Sequence, residues 1–303
     1  MYQYCITIFT PTFNRANLLP QLYESLLNQS FKDFEWIIID DGSVDNTRTT
    51  VDKFIEQNKI KISYIYKSNG GKHRAINDAV KIAKGDLFFI VDSDDYLACI
   101  ALERIMFHWK NVNGDLSFAG VAGLKGYNEH ENIGTSVLGD YLDASSLELR
   151  DKYKIKGDKS EVFKTDILKK YPFPEIEDEY FMSEGIVWYK IANEGYKIRW
   201  FNEIIYIAEY REDGLSFNAF KIALENWKGI VLCNNSYLLF KLPLKKKLKC
   251  SIDYYRYGFW GKVNLVRLFL DNNGKIYSVV GIPLGFLKLF YTFYKIKKLK
   301  INL

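Results

Sequence analysis

The stretch Leu87–Leu97, LFFIVDSDDYL, decides the fold. An apolar run leads straight into three carboxylates, Asp92, Asp94 and Asp95. A short continuous apolar run bounded by a polar turn reads as a strand buried on both faces. Like charges crowded at its end raise one another's pKa and cost stability, unless a cation or a set of hydrogen-bond donors sits among them. The strand therefore ends where something positive is expected to bind.

Working back from this strand, the chain alternates regularly. YCITIFT from Tyr4 is a β-branched strand, and NLLPQLYESLLNQ from Asn17 sets Leu18, Leu22, Leu26 and Leu19, Tyr23, Leu27 at helical spacing. EWIIID from Glu35 is a buried strand; TRTTVDKFIEQ from Thr47 is a helix with Val51, Phe54 and Ile55 on one face. KISYIYK from Lys61 is a third strand. KHRAINDAVKIAK from Lys72 is a helix with Ala75, Ile76, Ala79, Val80 and Ala83 inward and Gly85 as its C-terminal stop. Strands alternating with helices imply an α/β fold, a Rossmann-like, mostly parallel sheet with helices on both faces. Ligands of such sheets lie beyond the carboxyl ends of the strands.

The polar clusters fall at those ends: Pro11 to Arg15, Asp40 to Asp45, Ser68 to His73 and Asp92 to Asp95. DSDD can hold a divalent cation through one or two carboxylates, with substrate phosphates completing the shell, or it can be an Asp-rich turn capping a helix. An aspartyl nucleophile of the dehalogenase type also uses DxD, but on the first strand rather than the fourth. IIIDDGSVDNT offers a carboxylate for a base or ribose hydroxyl, or simple turn and N-cap chemistry. A receiver-domain reading leaves Asp92 to Asp95 unused. SNGGKHRAIN has neither GxGxxG nor GxxxxGK[ST] spacing, yet it brings Lys72, His73 and Arg74 to a helix N-terminus, where a diphosphate is favoured. Arg15 is too costly to bury unpaired, so it meets a turn carboxylate or ligand.

Together TPTFNR, IIIDDGSVDNT, NGGKHRAIN and FIVDSDDYL resemble the family 2 glycosyltransferases of the GT-A fold, in type, order and separation. The resemblance is close from residue 4 to about 100 and continues through FMSEGIVWYKIA to EYREDGLS, near Ser216. It implies an inverting transfer of a sugar from a nucleotide-diphosphate sugar, expected to be a UDP-sugar, to a glycan or lipid-linked acceptor in bacterial surface polysaccharide assembly. Carried over residue by residue, Thr12, Asn14, Arg15 and Asp41 contact base or ribose, and Lys72 and Asn77 the ribose and diphosphate. Asp92 meets ribose and metal, and Asp94 with Asp95 holds Mn²⁺ or Mg²⁺. The family's base lies in a Glu-Asp pair at the head of an acceptor-side helix. Here that place reads SEGIVW, which leaves Glu184 as base with Gly185 where the second acid would stand; Asp178 and Glu179 are the fallbacks. A first-turn carboxylate stabilised by the helix dipole is the bland reading of Glu184.

Two other classes compete. A nucleotidyltransferase or sugar-nucleotide pyrophosphorylase calls for a glycine-rich loop after the first strand, and TPTFNRAN has no glycine. A noncatalytic nucleotide-sugar-binding protein at a membrane would explain Gly185 as lost catalysis.

A chain of 303 residues, 48% hydrophobic and 26% charged, is long enough for one large domain with an appendage and is not a disordered composition. The expected division is residues 1–100, the nucleotide-sugar half; 101–220, the acceptor half; and 221–303, a helical basic and aromatic extension. Cys5, Cys99, Cys233 and Cys250 share no metal spacing and read as buried, reduced thiols of a cytoplasmic protein. MYQYCITIFTPTFNR lacks the pattern of a secretion signal. The net charge of +5 hides an asymmetry: from Lys241 onward there are 14 Lys and Arg against 2 Asp. Leu, Phe and Tyr interleave with those lysines in LLFKLPLKKKLK and GFLKLFYTFYKIKKLK, the composition of a helix lying on an anionic membrane surface. A helical hairpin packed on the catalytic domain is the competing reading, and no nucleic acid is expected. IYSVVGIPLGFLKLFYTFY is read as non-spanning, because Pro283, two glycines and Lys288 interrupt it. A peripheral location on the inner face of the cell membrane follows, with a homo-oligomer left open.

Overall fold

The computed structural model describes residues 2–209, 211 and 218–299. The end of the family resemblance near Ser216 lies outside the described residues. The chain divides into two compact units, Met1–Pro172 with Glu194–Glu209, and Phe173–Asn193 with Tyr210–Leu303.

The first unit opens with the expected alternation: β1 (Tyr4–Thr12), α1 (Leu19–Leu27), β2 (Phe34–Asp40), α2 (Thr47–Glu56), β3 (Lys61–Tyr66), α3 (Lys72–Ile82) and β4 (Gly85–Ile90). It continues through β5 (Tyr96–Leu97), α4 (Ala101–Lys110), β6 (Phe118–Gly126), β7 (Tyr141–Ala144), α5 (Ser146–Asp151), β8 (Lys159–Lys164) and α6 (Thr165–Lys170). After α7 (Gly185–Asn193), which belongs to the second unit, β9 (Lys197–Ile207) returns to the sheet. The order is β3-β2-β1-β4-β8-β6-β9-β5, with β7 also paired to β9. β1 to β4 are mutually parallel neighbours, and the antiparallel β8 makes the whole a mixed sheet.

Every residue of β2 is buried, as its continuous apolar run requires. Tyr23 of α1 stacks on Phe54 of α2 at 4.1 Å between ring centroids, and Trp36 of β2 lies 6.1 Å from Tyr23. Each such ring removed from water contributes about 1.5–3 kcal/mol. Ile55, expected on the same face, is instead exposed at the edge of α2.

Gly85 does not stop α3; it is the first residue of β4. A Cβ there would stand 2.2 Å from the Thr7 backbone nitrogen, so glycine is what lets β4 approach β1. Thr7 completes the joint: its hydroxyl accepts from the Gly85 N–H and donates to the buried carboxylate of Glu35, which also accepts from the Lys84 N–H.

The second unit is helical: α7, α8 (Ala219–Glu225), α9 (Trp227–Leu239), α10 (Leu244–Trp260), α11 (Leu265–Asp271), a 3₁₀ turn at Lys275–Tyr277 and α12 (Ser278–Leu299). α8 and α9 are separate helices, broken at Asn226. The Asn226 carboxamide oxygen accepts from the N–H groups of Tyr180 and Phe181, which draws this corner out of helical geometry. Pro283 and the glycines do not interrupt α12, which runs through them for 22 residues. Pro283 is the sixth residue of α12, so the helix forgoes the bond its N–H would have given to the Val279 carbonyl and still continues; Gly281 and Gly285 lie on its packed side. Among the described residues, Lys275–Leu299 is long and apolar enough to cross a membrane. The cysteines are free; Cys233 and Cys250 are buried, but Cys5 is half-buried and Cys99 exposed.

Candidate active site

At the carboxyl ends of β1, β2 and β4 the first unit gathers most of the residues singled out above. The first two turns are clasped together. The Asp41 N–H donates to the Thr12 carbonyl at 2.8 Å, the Asn14 N–H to Ser43 Oγ at 2.8 Å, and the Val44 N–H to Asn14 Oδ1 at 2.8 Å. Asn14 takes the left-handed backbone, φ 54°, which asparagine tolerates. Asp40 is tied into the scaffold, accepting from the Ser43 N–H at 2.7 Å and the Tyr64 hydroxyl at 2.6 Å.

Asp41 is buried, and its oxygens accept from the N–H groups of Gly70 and Gly71 at 2.8 and 2.7 Å. Gly71, with φ 90°, caps α3, a conformation that glycine adopts without strain. The acidic turn after β2 thus fixes the loop that launches Lys72. Arg15 follows Asn14, and its N–H donates to Thr47 Oγ1 at 3.2 Å. The Thr12 hydroxyl is buried with no hydrogen-bond partner among the described residues, the condition of a group that receives a ligand. Asn77 is buried on the second turn of α3.

After β4, Asp92 and Asp94 are half-buried and Asp95 is buried. Lys72 Nζ pairs with Asp92 Oδ1 at 2.6 Å. Burial alone would raise the Asp92 carboxyl, but the charges of Lys72 and Lys125 outweigh it and hold it below the usual carboxylate range. Asp94 is raised by burial and then by the charge of Asp92, with Arg15 and Lys72 pulling against them. Asp95 is raised to about 6 by burial and by Asp92. Its Oδ2 accepts from the Tyr206 hydroxyl at 2.6 Å and its Oδ1 from the Glu209 N–H at 2.8 Å. Tyr206 also accepts from the Asp92 N–H at 3.0 Å and carries the Lys125 ammonium 4.2 Å from its ring centroid.

Among the described residues no three His, Cys, Asp or Glu side chains converge as a protein-made metal cage. The chemistry of the cluster nonetheless fits a divalent cation of the kind held by one or two carboxylates and substrate phosphates. Asp94, whose carboxylate accepts from its own backbone N–H, and the Asp92 oxygen not paired with Lys72 are the oxygens suited to it. Asp95, expected to ligate alongside Asp94, has both oxygens engaged with Tyr206 and Glu209.

Tyr206 and Lys125 join the cluster from β9 and the end of β6. Neither sits in a motif: β9 is a plain strand, and only its pairing with β5 and β6 delivers Tyr206 to Asp95.

Glu184 belongs to the second unit. It is half-buried at the head of α7, its carbonyl accepting from the Val187 and Trp188 N–H groups at 3.0 and 3.1 Å. The place of the second acid has a physical reason to be glycine. A Cβ on Gly185 would stand 2.9 Å from the Tyr237 hydroxyl. Glu179 is buried, and its carboxylate accepts from the Lys228 and Gly229 N–H groups at 3.1 and 2.9 Å, capping α9. Burial raises its carboxyl and those bonds oppose the rise. Asp178 is exposed, with φ 61°. Trp188 is buried, edge-on to Phe173 at 5.7 Å.

The chain is similar in sequence and in fold to known glycosyltransferases. The sequence profile described as glycosyl transferase family 2 matches residues 7–161. Over 254 residues the chain is 27% identical to the GalNAc(5)-diNAcBac-PP-undecaprenol beta-1,3-glucosyltransferase of Campylobacter jejuni, covering 82% of this chain and 76% of that one. It is 40% identical over 98 residues to the chondroitin synthase of Pasteurella multocida, covering 32% of this chain and 10% of the synthase. Among solved structures, Staphylococcus aureus TarS 1–349 in complex with UDP-GlcNAc superposes with a TM-score of 0.68 at 19% identity, over 97% of this chain and 90% of TarS 1–349. The Pyrobaculum calidifontis mannosyltransferase PcManGT, in complex with GDP-Man and Mn²⁺, gives 0.58 at 15% identity, over 96% and 88%. At these identities the structural likeness is one of fold, GT-A.

Proposed function

This chain belongs to glycosyl transferase family 2, and from that premise we propose that it moves one sugar from a UDP-sugar, with inversion, to a lipid-linked or polymeric glycan acceptor of a bacterial surface. The observation that carries the reading is the convergence of Lys72, Arg15, Asp92 and Asp94 where four strands end. Two cations and two carboxylates there suit the diphosphate and ribose of a sugar nucleotide, with the buried Thr12 hydroxyl and the Asn14 turn beside the base.

Asp94 and the second oxygen of Asp92 would hold Mn²⁺ or Mg²⁺, which when bound neutralises charge on the diphosphate. Lys72 stabilises the same charge as the glycosidic bond breaks, a preorganised electrostatic role worth several kcal/mol. Asp41 keeps the Gly70-Gly71 turn in place, so the Lys72 ammonium need not reorganise during the reaction. Asp95, held by Tyr206 and Glu209, fixes the backbone of the acidic turn. Glu184 takes the proton of the acceptor hydroxyl as that oxygen attacks the anomeric carbon. Attack and departure on opposite faces of an oxocarbenium-like centre invert the anomeric configuration.

The relatives lend the acceptor class: one is named for a sugar chain on undecaprenol diphosphate, others for poly(ribitol-phosphate). An acceptor anchored in lipid fits an enzyme that works on the inner face of the cell membrane. The test is transfer of radiolabel from UDP-glucose and UDP-N-acetylglucosamine to polyprenyl-diphosphate-linked glycans, with Glu184→Gln alongside. Transfer by the wild type and its loss in the variant, with UDP binding kept, is the expected result. A wild type that binds UDP yet transfers neither sugar, nor releases UDP from them, counts against it.

A further inference from the structure

α12 is built inside out. The side facing α10 is small and polar: Ser278, Gly281, Gly285 and Thr292 are its buried residues. Ser278 Oγ accepts from the Tyr255 hydroxyl at 2.8 Å, Thr292 Oγ1 from Arg256 Nε at 2.8 Å, and Lys288 Nζ pairs with Asp253 at 3.2 Å. A Cβ on Gly281 would lie 2.2 Å from Ser251 Oγ, so the two helices meet at a distance only small residues permit. The large apolar side chains point the other way. Val279, Phe286, Leu287, Phe290, Tyr291 and Tyr294 are exposed, Leu287 by 61% and Tyr291 by 60%. They recur at helical spacing and form one continuous face. An unbroken apolar face of this extent on a folded protein marks an interaction surface.

The charges around it say what covers it. Lys275 precedes the helix and Lys297 and Lys298 fill its last turn, while Lys245, Lys246, Lys247 and Lys249 open α10. Among the residues from Lys241 onward only Asp253 and Asp271 are acidic, and Asp253 is already engaged by Lys288. A second copy applied to the same face would set lysines against lysines. A bilayer with anionic headgroups satisfies the apolar face and the lysines together.

We propose that the outward face of α12 docks on an anionic lipid membrane, with the helix lying in the plane of the interface and not crossing it. Lys275–Leu299 has the length to cross, but its other face carries Ser278, Lys288 and Thr292 and is packed on Asp253 and Arg256 of α10. A transmembrane course would draw those charges into hydrocarbon, whereas an in-plane course leaves them on the water side. Tyr291 and Tyr294 suit the headgroup level, with a ring in the apolar layer and a hydroxyl in the wet one. The docking stands on this surface alone; its purpose, access to a lipid-linked acceptor, rests on the glycosyltransferase reading.

The experiment is flotation of the 303-residue chain with phosphatidylcholine vesicles and with phosphatidylcholine–phosphatidylglycerol vesicles. Binding to the mixed vesicles, weakened by salt and much weaker to the neutral ones, is expected. Lys297→Gln with Lys298→Gln should lower binding to the mixed vesicles by about thirtyfold. Leu287→Ser with Phe290→Ser should abolish binding to both; these side chains project outward, so their truncation opens no cavity, and circular dichroism and UDP binding should match the wild type. Bound protein should be released by an alkaline carbonate wash. Retention after the wash overturns the in-plane geometry. Absence of vesicle binding overturns the docking, as does a concentration-dependent dimer that the Leu287 and Phe290 changes dissociate. UDP-sugar turnover on a soluble acceptor, measured on the docking variants, is expected to persist. Its absence in the wild type as well would count against the glycosyltransferase reading and leave the docking result standing.

Discussion

The Tyr206 hydroxyl donates to Asp95 Oδ2 at 2.6 Å and in return accepts the N–H of Asp92 at 3.0 Å. One phenol thus closes the acidic turn on itself. The carboxylate crowding after β4 is relieved in three ways: Lys72 on Asp92, hydrogen bonds on Asp95, and the nearby charges of Arg15 and Lys72 on Asp94.

Tyr206→Phe leaves the buried Asp95 short of a donor and the Asp92 N–H short of an acceptor. Loss of a hydrogen bond to a buried charged group costs about 1–3 kcal/mol. A lower Tm and weaker UDP binding are expected together, by differential scanning fluorimetry and titration calorimetry. An unchanged variant would mean the phenol is incidental.

Burial and Asp92 raise the Asp95 carboxyl to about 6, above its range in an unfolded chain. The folded state then binds a proton that the unfolded state does not, so ionised Asp95 costs stability above that pH. The cost is relieved as pH falls through 6 and is gone near the unfolded value, a change on the order of 3 kcal/mol. Between pH 7 and 5 the wild type is expected to gain stability relative to Asp95→Asn, which cannot titrate. Parallel stability curves for the two proteins would rule this out.

Lys72→Ala removes the ammonium paired with Asp92 at the head of α3. Loss of one preorganised group that stabilises developing charge lowers kcat by about 10²–10³-fold. The expectation is a fall of that order in kcat/KM for the UDP-sugar, with Lys72→Arg recovering only part because the guanidinium fork does not reproduce a point charge.

Much of this was written in the sequence. The alternation of β1 to β4 with α1 to α3 is periodicity, and four polar turns at strand ends located the cluster. Two kinds of feature were not legible. Asp41 and Asp95 carry donors met only in three dimensions, Gly70 and Gly71 for the one, Tyr206 and Glu209 for the other. Tyr206 lies 111 positions from Asp95, and no local pattern encodes such a pairing. Gly85 looked like a helix stop because a glycine after a helix has that meaning locally, whereas its real constraint is the backbone of Thr7 across the sheet. Pro283 looked like an interruption, but α12 runs on through it at the loss of one backbone hydrogen bond, its packing on α10 holding both sides of the proline in one helix.

Gly185 offers a test of packing in the second unit. Gly185 is the first residue of α7, where the mid-helix penalty of glycine does not apply, and in Gly185→Ala the added Cβ meets the Tyr237 hydroxyl at 2.9 Å. Overpacking of this kind costs about 1–3 kcal/mol, so a net loss is expected. Adding Tyr237→Phe removes the opposing oxygen, and the double mutant should regain most of the loss in thermal unfolding. Strict additivity of the two changes would show that the contact does not constrain the site.

The most direct measurement of the central claim, a sugar-nucleotide diphosphate bound among Lys72, Asp92 and Asp94, is isothermal titration of the full chain with UDP, with and without Mn²⁺, in wild type and Asp94→Asn. Tight UDP binding that requires Mn²⁺ in the wild type, and loses that requirement together with its affinity in the variant, is the expected result. Equal UDP affinity with and without Mn²⁺, unchanged by Asp94→Asn, or no UDP binding at all, would contradict it and leave DSDD a structural turn.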